Sequence, residues 1–285
     1  MNAWGLGRFS AAIVSENVRG TVVVIPDIKC VSPKEGDLLQ GRDPVETAKA
    51  LVGYGAPLLS VVTERENFGG SPELLRVIAS ETGVPVLRKD FIKDEAMLIE
   101  TAELGAAAVL LICSIIGEEK LESLYNQAKK LKLEPFVEVH TALEMELAKK
   151  LGAQLIGINN RNIAMLERDS GGPLRTAELA AGRPDGALLV SESGILSPED
   201  ARVAAEAGAN AVLVGTAIWQ ARDMAAMYRS LRVKRGDCAM LPTVKICGLH
   251  CMDVSSVAEP DGIKDTDKIG EIVDLLELDK PQNFL

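Results

Sequence analysis

Residues 187–216 read ALLVSESGILSPEDARVAAEAGANAVLVGT. An unbroken apolar run, 187–190, ends in the short and acidic cluster Ser191-Glu192-Ser193-Gly194. Ser197-Pro198-Glu199 then opens a helix with a capping hydroxyl and a proline in the first turn. Glycine closes that helix at Ala207-Gly208-Ala209, and a second apolar run, 211–214, ends in Gly215-Thr216. The two runs are apolar throughout rather than alternating. This is how parallel strands buried on both faces read.

The same unit recurs along the chain. Apolar runs fall at 21–28, 58–62, 84–87, 107–112, 134–139, 154–158, 187–190 and 211–214, spaced roughly 20–37 residues apart. Helical stretches lie between them. Asp43-Pro44 and Ser71-Pro72-Glu73 open two of these, and glycines at Gly105 and Gly152 close two others ahead of the next run. Eight strand–helix units predict an α/β fold, a parallel (β/α)8 TIM barrel over residues 21–232. An open doubly wound sheet is the competing architecture. It usually has fewer strands and often a glycine-rich phosphate loop after the first, where this chain has Lys29-Cys-Val-Ser-Pro-Lys. A short N-terminal extension, 1–20, precedes the barrel, and a tail of about fifty residues, 233–285, follows it. The tail is too short for an independent core. A short strand over 243–247 and a helix over 268–278 are expected within it.

Composition narrows the function. The 285 residues carry a formal charge of −10 with no basic tract, a poor match to nucleic acid or anionic membranes. No apolar stretch is long enough to span a bilayer. Five scattered cysteines do not form a disulfide framework, so a cytoplasmic location is expected. A local site for a small anion stays open, and the strand ends point to a small phosphorylated molecule as the expected partner; the chain is expected to be a monomer or weak homo-oligomer.

Barrels of this kind do their chemistry at the C-terminal strand ends. Polar residues there include Asp27, Lys29 and Ser32 after the first run, Arg88-Lys89-Asp90 after the third, and Glu138 and His140 around the fifth. Asn159-Asn160-Arg161 follows the sixth, Glu192-Ser193-Gly194 the seventh and Gly215-Thr216 the eighth. Two-residue alternation points Asp27 and Lys29 to the same side, into the mouth. A carboxylate, Glu138, opposite two ammonium groups, Lys29 and Lys89, makes an acid–base set whose members tune one another. Short residues at the seventh and eighth strand ends expose backbone N–H groups, the usual phosphate cradle of barrels. Each feature also has a purely structural reading: a solvated rim lysine, a Lys29–Glu138 ion pair, glycines needed only for tight turns. His140 reads as a capping or packing residue, and Cys113 as an inert buried thiol.

The segments 27–36 (DIKCVSPKEG), 85–92 (PVLRKDFI), 136–140 (FVEVH), 156–162 (IGINNRN), 191–195 (SESGI) and 211–215 (AVLVG) together resemble the indole-3-glycerol phosphate synthase family. The match runs in order over about 21–220. The resemblance implies closure of the indole ring of 1-(2-carboxyphenylamino)-1-deoxyribulose 5-phosphate, with loss of carbon dioxide and water and without cofactor or metal. It implies Lys89 as general acid, Lys29 as the cation for the anthranilate carboxylate, and Glu138 as the proton-moving carboxylate. Asp27 is implied to orient Lys29, and Asn159 and Ser193 to orient hydroxyls. Ser32, Gly194, Gly215 and Thr216 fall where the family binds phosphate, with Glu192 beside them. Phe91 and Arg161 resemble ring-packing and supporting residues.

The chain also departs from the family pattern. Asp27 stands where the family usually has Glu. About twenty residues, rather than some forty, precede the first strand, so Trp4, Phe9 or the tail would have to close the aromatic end. Residues 168–173 (RDSGGP) replace the usual Asp-Leu-x-x-Thr connection. A barrel enzyme for another phosphorylated substrate and a non-catalytic binding subunit therefore stay open. In the tail, 244–249 (VKICGL) resembles the opening strand of phosphoribosylanthranilate isomerase, and Cys238, Cys247, His250 and Cys251 do not have the spacing of a standard zinc site.

Overall fold

The computed structural model describes residues 6–161 and 172–234. Eight parallel strands close on themselves: β1 (Val23–Ile28), β4 (Leu59–Val62), β5 (Val86–Lys89), β6 (Ala108–Ile112), β7 (Glu134–Val139), β8 (Leu155–Asn159), β9 (Leu188–Glu192) and β10 (Ala211–Val214). The seam is β1 against β10, in register from Val23 opposite Ala211 to Pro26 opposite Val214. The expected closed barrel is therefore the fold, and the open sheet is excluded. A small antiparallel hairpin, β2 (Val31–Ser32) with β3 (Gly36–Asp37), follows β1 and lies outside the barrel ladder.

Three barrel strands run past their apolar runs, the third to Lys89, the sixth to Asn159 and the seventh to Glu192. Apolar runs end where inward residues turn polar for chemistry, while the backbone ladder continues past them.

The helices form where side chains satisfy their free ends. Asp43 accepts the N–H groups of Val45 and Glu46 to start α2 (Pro44–Gly53), and Ser71 accepts that of Leu74 to start α3 (Pro72–Thr82). Ser197 and Asp200 exchange bonds at the start of α9 (Pro198–Glu206). Helix α4 (Glu95–Glu103) ends with Gly105 at φ 83° and the Ala106 N–H on the Thr101 carbonyl, 3.3 Å. That left-handed closure is why glycine stands there. Helix α6 (Glu118–Lys130) closes the same way with Lys132, at φ 62°.

The apolar core lies between the sheet and its helices. Along β1, Val24 and Ile28 belong to that layer, so Ile25 and Asp27 face the barrel axis. Helix α1 (Arg8–Val18) covers the N-terminal end of the barrel. Glu134, first residue of β7, accepts the N–H groups of Phe9 at 2.6 Å and Ser10 at 3.0 Å. Burial pushes the Glu134 carboxyl up, and these N–H groups pull it back. The Asn17 amide donates to the Thr21 and Asn210 carbonyls nearby. Phe9 is thus a fully buried plug at the end away from the mouth, and it does not close the aromatic side. Trp4, residues 162–171, and the tail elements and cysteines beyond 234 lie outside the described residues.

Candidate active site

Two adjoining cavities open at the C-terminal strand ends and share Asp27, Lys29 and Lys89. The first, about 370 Å³, is walled by Val62, Phe68, Phe91, Leu110 and Ile112, with Glu64, Asp90 and Glu138. The second, about 350 Å³, is walled by Arg161, the 193–196 turn and the 213–216 segment. One side is apolar and aromatic. The other is made of short residues and backbone.

Lys29 sits 5.6 Å from the Phe68 ring centroid, and Phe68 packs on Phe91 at 6.5 Å with a 58° tilt. A cation held against an aromatic wall suits an aryl carboxylate. Asp27 is fixed from two sides: its Oδ1 accepts the Ser60 hydroxyl at 2.7 Å, and its carbonyl accepts the Trp219 indole N–H at 2.8 Å.

Lys89 Nζ lies 3.3 Å from Glu192 Oε2. Glu192 is wholly buried and lines neither cavity; it stands behind Lys89. Burial, and then the charge of Glu138, push its carboxyl up to about 8 against the pull of Lys89. A carboxyl raised in this way favours the fold fully below its ordinary value of 4.5 and loses that contribution as pH rises through about 8. Glu192→Gln should therefore flatten the fall of Tm between about pH 5 and 8, worth a few kcal/mol in the wild type. An unchanged slope in thermal melts across that range would remove Glu192 as its source.

Glu138, 1% exposed, faces His140, whose Nε2 is 3.3 Å from Glu138 Oε1. Asn159 is also buried. Its Oδ1 accepts the Arg161 N–H at 3.0 Å, while Nδ2 has no hydrogen-bond partner among the described residues. A buried amide donor in that state suits a ligand oxygen.

At the second cavity Ser193 and Gly194 both take left-handed backbone, φ 61° and 70°. Unlike Lys132, which closes a helix, Ser193 takes this conformation at the wall of a cavity. Gly215 and Thr216 begin the short helix α10 (Thr216–Gln220). Ser32 does not join them: its Oγ accepts the Glu35 N–H at 3.3 Å inside the hairpin, and it lines neither cavity.

A second ring of residues holds this set in place. Arg88 points away from the axis and binds Thr63, Thr101, Asp90 and Glu100, which anchors the strand end that carries Lys89. Helix α8 (Leu174–Leu179) supplies Arg175, which donates to the carbonyls of Asn159 (2.8 Å) and Arg161 (2.9 Å). Asn160 accepts from Thr176 and donates to Ser191.

Gly157 makes room on β8: a Cβ there would overlap Glu192 Oε1 and the Phe136 ring. Gly157→Ala should lower stability by about 1–3 kcal/mol and depress kcat by displacing the partner of Lys89. Denaturant unfolding with unchanged midpoint would contradict this.

The sequence reading passed over Ser60, Phe68, Gly157, Arg175 and Trp219. Phe68 carried the best available signal, an aromatic past a strand end in a chain with 4% aromatics. His140, read as a capping or packing residue, gives its backbone N–H to Glu144 at the start of the next helix, and its ring lies between Glu138 and Glu144.

Among the described residues no three His, Cys, Asp or Glu side chains cluster as a metal site, and no helix is long and apolar enough to cross a membrane. The family model described as indole-3-glycerol phosphate synthase matches residues 7–231. The chain is 44% identical over 206 residues to the protein of that name from Pyrococcus furiosus, covering 72% of this chain and 90% of the relative. It is 40% identical over 213 residues to the one from Streptococcus sanguinis, covering 75% and 82%. It is 40% identical over 212 residues to the one from Carboxydothermus hydrogenoformans, covering 74% and 80%. With the barrel closed, its mouth furnished in this way and the match running from the first helix to the last, the chain belongs to the indole-3-glycerol phosphate synthase family.

Proposed function

We propose that the barrel mouth acts as a carboxy-lyase of tryptophan biosynthesis. It converts 1-(2-carboxyphenylamino)-1-deoxyribulose 5-phosphate to indole-3-glycerol phosphate, carbon dioxide and water. The observation that carries this reading is the junction of the two cavities. An aromatic chamber and a backbone-rich chamber meet at Lys29, Lys89 and Asp27, so a substrate with an aryl carboxylate at one end and a phosphate at the other spans them with its ketone at the lysines.

In the aromatic chamber the aryl ring packs on Phe68 and Phe91, with its carboxylate on Lys29. In the other, the backbone of Ser193, Gly194, Gly215 and Thr216 holds the phosphate, with Ser32 at the hairpin after β1 as a further donor. Asn159 and Ser193 orient the sugar hydroxyls, and Arg161 supports them. The ring carbon bearing the carboxylate attacks the ketone. Negative charge builds on the ketone oxygen, and Lys89 protonates it to an alcohol and regains its proton from solvent, the one proton the overall reaction consumes as the carboxylate becomes carbon dioxide. The carboxylate leaves as carbon dioxide, and its bonding pair restores the aromatic ring. Lys29 positions that carboxylate without holding it equally through the reaction, since uniform binding accelerates nothing. Dehydration follows. Glu138 gives a proton to the departing hydroxyl, which leaves as water, and then accepts one from the former methylene carbon as the indole forms. Asp27, fixed by Ser60 and Trp219, orients Lys29 in place of the longer Glu of the family. Glu192 holds Lys89 toward the ketone. A reducing cytoplasm suits the free thiols Cys30 and Cys113.

Substrate labelled with 13C in the carboxylate tests the reaction class. One labelled carbon dioxide is expected per indole formed. Indole without label release, or substrate returned intact by folded protein, would exclude this reading and favour a different phosphorylated substrate or a binding role.

A further inference from the structure

The reaction proposed above makes no use of Glu64, although Glu64 lines the aromatic chamber. A carboxylate on that wall repels an aryl carboxylate, so its place there needs another reason. The residues that follow it supply one. Glu64 comes two residues after β4 and opens a loop that returns at Gly70. Its Oε1 accepts the backbone N–H of Glu66 and the side-chain amide of Asn67, both at 3.1 Å. Its Oε2 accepts the backbone N–H groups of Asn67 at 2.8 Å and of Phe68 at 3.0 Å. Three successive backbone N–H groups thus converge on one side chain, the concave arrangement in which backbone binds an anion. Here the anion is the chain's own.

The rest of the loop serves the same shape. The Glu64 carbonyl accepts the Gly70 N–H at 2.8 Å, which closes the loop. Gly69 takes left-handed backbone, φ 65°, and a Cβ on Gly70 would overlap the Val62 carbonyl, so the chain folds back tightly on the end of β4. Phe68 is the buried residue inside this turn. Its N–H is held by Glu64, and its carbonyl accepts the Val31 N–H at 3.0 Å, two residues past Lys29. Its ring is the one that stands 5.6 Å from Lys29 Nζ and packs on Phe91. Glu64 therefore fixes the backbone of the residue that walls the aromatic chamber.

Counting donors and charge separates two roles. As a rim charge alone, Glu64 would repel an anionic ligand, and neutralising it would tighten binding. As the centre of the loop it needs both oxygens. An ionised carboxylate only accepts and can meet all four donors, whereas glutamine offers one oxygen and sets its own N–H groups against the donors of Oε1 or Oε2. Backbone N–H groups left without an acceptor favour a different turn, and Phe68 moves with it.

We infer that Glu64 is a positioning residue that folds the 64–70 loop around its carboxylate and thereby sets the Phe68 ring beside Lys29, shaping the chamber for an aryl carboxylate. The inference rests on the synthase reading for the ligand and on the loop geometry for the device.

Binding without turnover tests it, with anthranilate as the probe of the aromatic chamber and inorganic phosphate as the probe of the other. Glu64→Gln should weaken anthranilate about tenfold, against the tightening that loss of a rim charge would give, with phosphate affinity within about twofold of the wild type. Formate should restore anthranilate affinity in Glu64→Ala, where the anion site is vacated, and not in Glu64→Gln, where the amide still fills it. In protein labelled with 4-fluorophenylalanine, the 19F signal assigned to Phe68 through Phe68→Leu should shift in Glu64→Gln, while those of Phe9 and Phe136 stay. In turnover, Glu64→Gln should raise KM about tenfold with kcat changed less than about threefold. Unchanged or tighter anthranilate binding, an unmoved Phe68 signal, or a wild type that binds no anthranilate would overturn the inference. So would both ligands weakening together, or both variants failing to fold, since Glu64 would then support the barrel at large. Anthranilate binding that depends on Glu64 in a wild type without turnover would sink the synthase reading and leave the inference standing.

Discussion

Lys89→Met is expected to lower kcat by about 10³-fold, the largest effect of any single substitution in the mouth. The ammonium serves twice in the proposed reaction, as the charge that draws the ketone oxygen and as the proton that fixes it as an alcohol. Methionine keeps the apolar stem and removes both. The fold should survive for a specific reason. Glu192, the buried partner 3.3 Å away, has its carboxyl already pushed up to about 8, so it binds a proton when the ammonium is gone. An unpaired buried charge is thereby avoided. Single-turnover kinetics with thermal melts at pH 6 and 9 checks both parts. At pH 6 the variant should melt within a few degrees of the wild type, and at pH 9 lower, because Glu192 must then ionise alone. Turnover near the wild-type rate would remove Lys89 from the acid role.

Glu138→Gln is expected to cost about 10²-fold in kcat with KM changed less than about threefold. The amide has nearly the shape of the carboxylate. It can neither give up nor take a proton at working pH. The loss should therefore fall on the chemical step, most of all on dehydration, and the 3-hydroxy intermediate formed after loss of carbon dioxide should accumulate in quenched samples. A raised KM with kcat preserved would recast Glu138 as a binding residue.

The barrel was legible in the sequence because its strands are buried on both faces and read as continuous apolar runs. Three of its helices begin with Asp-Pro or Ser-Pro and several end in glycine, each for a local reason the structure repeats at Asp43, Ser71, Ser197, Gly105 and Gly208. The strand ends were less legible, since Arg88, Lys89, Ser191 and Glu192 continue the ladder after the apolar run has stopped. Of the site, Asp27, Lys29, Lys89 and Glu138 could be found as polar residues at strand ends, Asp27 and Lys29 also by two-residue alternation, and they do line one cavity. Ser32 lies in a hairpin of only two residues per strand that no apolar pattern marks, with its hydroxyl accepting the Glu35 N–H. Phe68, Trp219 and Arg175 reach the site from loops and helices, across separations no periodicity encodes. Phe9 looked like a candidate for the mouth by its aromatic character alone. Only the bonds from its helix to Glu134 assign it to the opposite end.

The measurement that bears most directly on the account is incubation of the purified chain with 1-(2-carboxyphenylamino)-1-deoxyribulose 5-phosphate while indole fluorescence is followed, with Lys89→Met alongside. The wild type should give a steady rise and, at equal protein, the variant a rise about 10³-fold slower. A flat trace from folded wild-type protein, or equal rates from the two, would contradict it.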